Sequence, residues 1–218
     1  GVIGQGAHVP VILPVQGTAT YTITVGSDTP QDRSPIQGQH TTIAVQGQTP
    51  FVSAIGGGMG WGYIAATNNI GTYAIPGGSG GGYYENSHWA NAVAPAVPGQ
   101  GHEGGAQTAN QAGGGGGYGG PGGEGGNTRN GGAGFDLATA LNLDPNDGKT
   151  GQFLSTLTVD GFIAGGGAGN TGTPGPGGGT GAATGGKPYS GAGGGGRGSG
   201  GATNGSGGCG VVYIITDA

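Results

Sequence analysis

The sequence predicts a mainly β and irregular fold: a short antiparallel β portion carrying a bundle, or sandwich, of packed polyglycine II helices, with almost no α-helix. Three observations lead to this fold class. Glycine supplies 63 of the 218 residues. Glycine-rich runs repeat with a period of three, which is the residue count per turn of polyproline II and fits neither an α-helix nor a β-strand. Short runs of alternating or continuous apolar residues lie near both ends of the chain.

Composition by itself favours disorder, because so much glycine is typical of low-complexity chains. Against this, the net charge is only −5 and the chain holds eight Tyr, four Phe and two Trp, whereas disordered chains combine high charge with few aromatics. Ordering each glycine backbone costs about 1–2 kcal/mol, and glycine has no side chain to bury in return. Backbone hydrogen bonds between neighbouring tracts, each worth a net ~0.5–1.5 kcal/mol, must therefore hold such a fold together.

The N-terminal quarter, residues 1–55, is predicted to be a β-rich segment that serves as an edge arm or an attachment region. Thr20–Val25 alternates between threonine and apolar residues and predicts a half-buried strand. Thr41–Val45 and Pro50–Ile55 predict two further short strands. Gly1–Val15 is apolar but interrupted by prolines, which suits an edge strand or an extended arm.

Residues 56–218 form the predicted polyglycine II domain. Within its central tract, Gly113–Gly134, every third position from 118 to 127 carries a non-glycine residue and every position between is glycine, so one edge of the helix is decorated and two are bare. Bare edges let neighbouring backbones approach closely. Gly165–Gly181 keeps one bare edge, as an outer helix would. The third tract, Gly191–Gly210, keeps its glycines in one register that is broken by Asn204.

An insertion at residues 135–163 interrupts the glycine-rich domain. Phe135–Leu143 predicts one or two helical turns or a packed loop, and Asp144–Gly148 predicts a turn. Phe153–Asp160 alternates and predicts a strand. The chain closes on Val211–Thr216, a continuous apolar run that predicts a strand buried on both faces.

Several function classes are excluded at this level. A net charge of −5 with five Lys and Arg disfavours nucleic acid as a partner, and the apolar runs are too short to insert into a membrane. Neither a nucleophile motif nor a cofactor motif is present, so we expect a protein that is not an enzyme and has no cofactor. Cys209 is the single cysteine and is expected to be a small buried residue.

No metal site is expected. The oxygen-bearing residues Asn142, Asp144, Asn146 and Asp147 could hold calcium in principle, but their spacing departs from a calcium-binding loop, and a plain Asx-rich turn is favoured. The four histidines lack zinc-ligand spacing.

Three glycine-rich tracts alternate with two segments of mixed composition, and two apolar strands flank the whole. The tracts are Gly113–Gly134, Gly165–Gly181 and Gly191–Gly210; the segments are Tyr83–Gln100 and Phe135–Gln152; the strands are Thr20–Gly26 and Gly210–Ile215. This arrangement resembles the glycine-rich tip proteins and tip domains of bacteriophage tail fibres. The resemblance covers most of residues 56–218 and implies a non-enzymatic receptor-binding adhesin, located in the virion or outside the cell. Its implied partners are a bacterial outer-membrane protein or polysaccharide and the fibre shaft or neighbouring subunits.

The predicted binding residues are Tyr83, Tyr84, His88 and Trp89, together with Tyr118 on the decorated edge of the central tract. Tyrosine and tryptophan give large contact area at low entropic cost and are enriched in binding hot spots. The alternative is that these aromatic residues cover the bundle as a miniature core, since the glycine tracts supply almost no apolar area.

Two other functions compete. In a structural subunit of an extracellular filament or virion coat, Gly1–Val15 would add a strand to a neighbour's sheet. In an ice-binding protein, a flat glycine bundle would present one small residue at every third position. The outward series Tyr118, Pro121, Glu124 and Asn127 is bulky and mixed, which argues against ice binding.

Overall fold

A computed structural model describes the chain in twelve separate ranges of residues. These are residues 18–27, 38–58, 77–82, 95–106, 108, 111–126, 128–144, 146–169, 171–179, 185–188, 190–194 and 207–213. They form a small β-sheet, a bundle of glycine-rich tracts and an insertion that contains the helices.

The N-terminal sheet confirms the three predicted strands. Strands β1 (Tyr21–Thr24), β2 (Thr41–Val45) and β3 (Val52–Ala54) pair antiparallel in the order β1-β2-β3. Tyr21 lies opposite Val45, and its ring meets Phe51 edge to face at 6.2 Å. The alternating threonines and apolar residues of β1 therefore sit on opposite faces of this sheet, as their period of two requires.

The side chain of Gln100 joins the sheet to the bundle. Its Oε1 accepts from Ile55 N at 2.7 Å, and its Nε2 donates to Ser53 O at 3.3 Å. The primary amide thus takes the place of a backbone amide beside the end of β3, because it offers the same donor and acceptor.

The tract 111–117 lies inside the bundle and is hydrogen-bonded to five described segments. Its N–H groups point to three neighbours in turn, and donors three residues apart reach the same neighbour. Residues 114 and 117 donate to tract 119–126, and residue 116 donates to segment 77–82. Residue 115 donates to tract 163–169, as does Tyr118, which directly follows the tract. Segments 101–106 and 128–134 donate to its carbonyl oxygens. A β-strand repeats every two residues and has two neighbours in its sheet, so this tract is not a β-strand.

The same period of three recurs in the neighbouring tracts. Pairs of donors three residues apart bond to one partner tract at residues 102 and 105, 122 and 125, 131 and 134, 166 and 169, and 172 and 175. Some of these neighbours run antiparallel, as 102 and 105 do against 117 and 114; others run parallel, as 131 and 134 do against 173 and 176. Three residues per turn is the period that polyglycine II geometry requires.

The central glycine-rich stretch does not form one continuous helix, which corrects the single decorated edge expected from its X-G-G repeat. The chain reverses at residues 117–120, where Gly117 N donates to Gly120 O at 2.9 Å. It reverses again near Gly126, which has φ of +97°, and Arg129, which has φ of +45°. The chain reverses because of packing. When the stretch folds into three tracts, the backbone N–H and C=O groups of each tract find partners in its neighbours, whereas one long helix would leave those groups to solvent.

The tracts can pack this closely only because their glycines have no side chains. A Cβ added at Gly116 would lie under 3.0 Å from His102 O, and one added at Gly131 would lie under 3.0 Å from Gly166 O. Both atoms belong to backbone that cannot rotate away. By contrast, Gly57 has nothing within 4 Å of an added Cβ.

The insertion contains strand β4 (Phe135–Asp136), helix α1 (Leu137–Ala140), helix α2 (Gly148–Leu157) and strand β5 (Phe162–Ile163). Strands β4 and β5 pair antiparallel. The helical turn expected within Phe135–Leu143 is confirmed as α1. The turn expected at Asp144–Gly148 is present up to Asp147, where Asn146 N donates to Asp144 Oδ1 at 2.8 Å.

The strand predicted at Phe153–Asp160 is wrong, because residues up to Leu157 belong to α2. Asp147 is the N-cap of this helix, and its carboxylate accepts from the N–H and the hydroxyl of Thr150. Leu154 is 4% exposed and Thr158 is fully buried, while Thr156 between them is exposed, so the buried positions follow a helical rather than an alternating period. At the other end of the helix, Lys187 Nζ donates to the carbonyl oxygens of Ser155 and Thr158.

Two aromatic contacts attach the insertion to the bundle. Phe135 meets Tyr118 edge to face at 5.2 Å, and Phe153 meets Tyr213 at 5.5 Å. Tyr213 belongs to residues 211–213, the described part of the predicted closing strand, and these residues are partly buried and outside any strand. Residues 214–216 lie outside the described residues.

The fold class predicted from the sequence is confirmed in its main statement. The described residues are largely irregular, with short antiparallel strands and two short helices. The polyglycine II geometry of the tracts stays a prediction, which the period of three in their hydrogen bonds supports.

Candidate recognition surface

Four of the five predicted binding residues lie outside the described residues: Tyr83, Tyr84, His88 and Trp89. The chain on either side of them is held by the bundle. A Cβ added at Gly82 would lie under 3.0 Å from Gly113 O. On the C-terminal side, Val97 N donates to Gly77 O at 2.7 Å. The predicted binding segment is thus anchored at both flanks by backbone contacts, and its binding role stays a prediction.

Tyr118, the fifth predicted residue, is partly buried at a turn of the bundle. Its N–H donates to Ala164 O at 3.0 Å, and its ring packs on Phe135. This ring contact fits the packing alternative, while the partly exposed side chain leaves the predicted binding role untested.

One end of the bundle is closed by the insertion. We call it the closed end, comprising residues 117–120, 134–137, 154–164, 176–178 and 190–191. Leu137 is 4% exposed, and Ser190 is fully buried, with its hydroxyl donating to Lys187 O at 2.7 Å. Ala164 N donates to Ser190 O at 2.8 Å, which joins tract 163–169 to residues 190–194. Apolar and hydroxyl side chains therefore fill this end.

The opposite end consists of three turns, and we call it the polar end: the described residues within 106–111, 124–130 and 169–173. Backbone bonds bring the turns together, since Gly125 N donates to Ala106 O at 2.7 Å and Gly169 N donates to Arg129 O at 2.8 Å. The side chain of Arg129 donates to Gly126 O at 3.0 Å and to the hydroxyl of Thr171. One arginine thus links two of the three turns.

The exposed side chains of the polar end carry hydroxyl, amide and carboxylate groups. They belong to Glu124, Thr128, Asn130, Thr171 and Thr173. Sequence reasoning did not select any of these residues as a binding site. The signal available was the Asn- and Thr-rich composition of three separate turns, but nothing in the sequence indicated that the turns meet.

Two carboxylates of the insertion are stabilised in the charged form. Hydrogen bonds from the backbone and then the side chain of Thr139 lower the pKa of Asp136. The hydroxyl and then the backbone N–H of Thr150 lower the pKa of Asp147. Both act as helix N-caps, so the lowered pKa values reflect capping.

Neither a metal centre nor a membrane span can be built from the residues that the structure describes. Within those residues, three or more His, Cys, Asp or Glu side chains do not come together in a metal-binding group. The helices found there are also too short and too polar to cross a membrane. Cys209 is partly buried, and its carbonyl oxygen accepts from Gly191 N at 2.9 Å.

The hydrogen-bonded tracts extend through the described chain from Gly26 to Gly210, which are themselves bonded to each other at 2.9 Å. A family model described as a glycine-rich domain matches residues 2–216. The chain belongs to the glycine-rich domain family. Comparison with curated proteins and with solved structures found no match. The match spans the sheet, the tracts and the insertion of this glycine-rich domain alike.

Proposed function

We propose that this glycine-rich domain is a non-enzymatic receptor-binding protein at the tip of a bacteriophage tail fibre, whose target lies on the bacterial surface. The observation that supports the proposal is a scaffold held by backbone hydrogen bonds with a period of three. Because its tracts recognise one another without side chains, the segments between them can change sequence without weakening the scaffold. That property suits a protein that must recognise variable receptors.

The segment 83–94 is the proposed contact region. Its flanks are held by the bundle at Gly82 and Val97, so an aromatic cluster there would be presented from a fixed base. A fixed base lowers the entropy lost on binding. Tyr83, Tyr84, His88 and Trp89 supply the large contact area that hot spots use.

The test is to replace Tyr83, Tyr84, His88 and Trp89 together by serine and to measure binding of the purified chain to a panel of bacterial strains. We expect binding to be lost while the thermal unfolding transition keeps its midpoint. Tyr118→Ser is the matched comparison: loss of stability would assign Tyr118 to packing on Phe135, and loss of binding alone would assign it to the contact. Unfolding of the fourfold variant, or unchanged binding, would contradict the proposal.

A structural subunit of a filament or virion coat is the second candidate. The observation that favours it is the exposure of apolar side chains on the N-terminal sheet, where Ile23 is 37% and Val25 is 45% exposed. A neighbouring subunit would cover such a face. Concentration-dependent polymers of the purified chain that disappear on deletion of residues 1–15 would favour this candidate over the adhesin.

A further inference from the structure

We propose that prolines and a carboxylate on the outer tracts prevent a second copy of the chain from adding its own glycine tracts to the bundle. The inference does not depend on the receptor-binding function. Every copy of the chain offers the same backbone N–H and C=O groups, and a row of such groups at an edge is a template for pairing with another chain. The risk is wider here than at a sheet edge, because tract 111–117 shows that one tract can bond to five neighbours.

The inner tract 111–117 shows what a tract with neighbours in every direction contains. It reads QAGGGGG, with neither a proline nor a charged side chain. Its residues 114, 115 and 116 donate to three different neighbours. Each of these positions is glycine, so each keeps its N–H and lets the neighbouring backbone approach closely. A tract that is surrounded by partners thus holds only residues that can donate.

The outer tract 119–126 differs from the inner one in a single series of positions three residues apart. Residues 122, 123 and 125 are glycines, and they donate to two neighbouring tracts. The remaining series holds Pro121 and Glu124, and both side chains are exposed. Proline has no N–H to offer a further chain. A carboxylate would have to lose its water before a second copy could approach.

The outer tract 171–179 shows the same distribution independently. Gly172 and Gly175 donate to tract 163–169. Each of the other two series of positions three apart includes a proline, Pro174 in one and the exposed Pro176 in the other. The carbonyl oxygen of Pro176 still accepts from Gly134 N at 2.7 Å, so proline keeps the bonds inside the bundle and removes only a donor. In both outer tracts, prolines therefore avoid the series that bonds to neighbouring tracts through N–H groups.

The experiment replaces Pro121 and Glu124 together by glycine in the whole chain and measures molecular mass by light scattering over a range of protein concentrations. We expect reversible association, with a dissociation constant at least about tenfold below that of the parent chain, because the edge gains a donor and loses a charge. Pro176→Gly tests the other outer tract and should act in the same direction. Pro50→Gly, at an exposed position between β2 and β3, is the matched control and should associate no more than the parent chain.

Parent-like mass of both outer-tract variants would overturn the inference, and so would equal association of Pro50→Gly. Proline also suits the extended backbone of a tract. If stiffening were its only role, the variants would unfold at a lower temperature and would not associate more than the parent chain. Circular dichroism distinguishes the two roles, because the expected association occurs between folded chains, well below the unfolding midpoint.

Hydrogen exchange locates the contact between the associated copies. In the double variant, the amides at positions 121 and 124 should gain protection as the protein concentration rises. Protection that appears only in the N-terminal sheet would assign the association to that sheet and would overturn the inference.

Discussion

The tract 111–117 and the insertion 135–163 are stabilised in opposite ways. The tract is held by backbone hydrogen bonds to five neighbouring segments, and an added Cβ at Gly116 would collide with backbone. The insertion instead buries Leu137 and Leu154 and attaches through aromatic rings. The comparison shows that one chain can combine a region where side chains are forbidden with a region where they supply the stability.

Gly116→Ala should have the largest effect. The added methyl group would meet the carbonyl oxygens of His102 and Glu103, so tracts must separate, and overpacking of this kind costs about 3 kcal/mol or more. Thermal unfolding followed by circular dichroism measures the loss. Gly57→Ala is the matched control, because open space surrounds that position, and its effect should stay within about 1 kcal/mol. Equal stability of the two variants would contradict the close-packed description of the tracts.

Leu154→Ala should have the next largest effect, and it should be confined to the insertion. Removing a leucine side chain that is 4% exposed costs about 2–5 kcal/mol. Hydrogen exchange should show faster exchange in α2 while the amides of Gly114 and Gly115 keep their protection. Thr156→Ala, at an exposed position of the same helix, is the control. Loss of protection throughout the tracts would mean that the two regions unfold as one unit.

Acidification should have the smallest effect and should again distinguish the insertion from the tracts. The pKa of Asp147 is lowered from its ordinary value of 3.8. Its contribution to stability is therefore fully present above pH 3.8 and is lost as the pH falls through the lower folded-state pKa. We expect Asp147→Asn to remove this dependence while keeping the cap, since asparagine also caps helices. Helical circular dichroism against pH measures it; an identical acid transition in the variant would assign the effect to other groups.

The strands of the N-terminal sheet could be predicted closely because their information is local. Alternation of threonine with Tyr21 and Ile23 specifies which face each residue takes, and Thr41–Val45 was predicted with the bounds that β2 has. Helix α2 was missed because a short apolar run fits both periods. The capping pair Asp147 and Thr150 was the better local signal.

The clustering of the residues at the polar end could not be predicted, because it depends on which turns meet in the folded chain. Thr171 and Arg129 are 42 residues apart and touch only after the chain has reversed several times. The binding role of Tyr83, Tyr84, His88 and Trp89 remains a prediction from residue type.

By itself, the sequence determined the period of three, the places where strands form and the family of glycine-rich domains to which the chain belongs. Only the tertiary structure decided which tracts are neighbours, where the central stretch reverses and which end the insertion closes. The physical reason is that glycine has no side chain with which to specify a partner. Every glycine offers the same N–H and C=O, so the arrangement of the tracts follows from the packing of the whole bundle rather than from any local pattern.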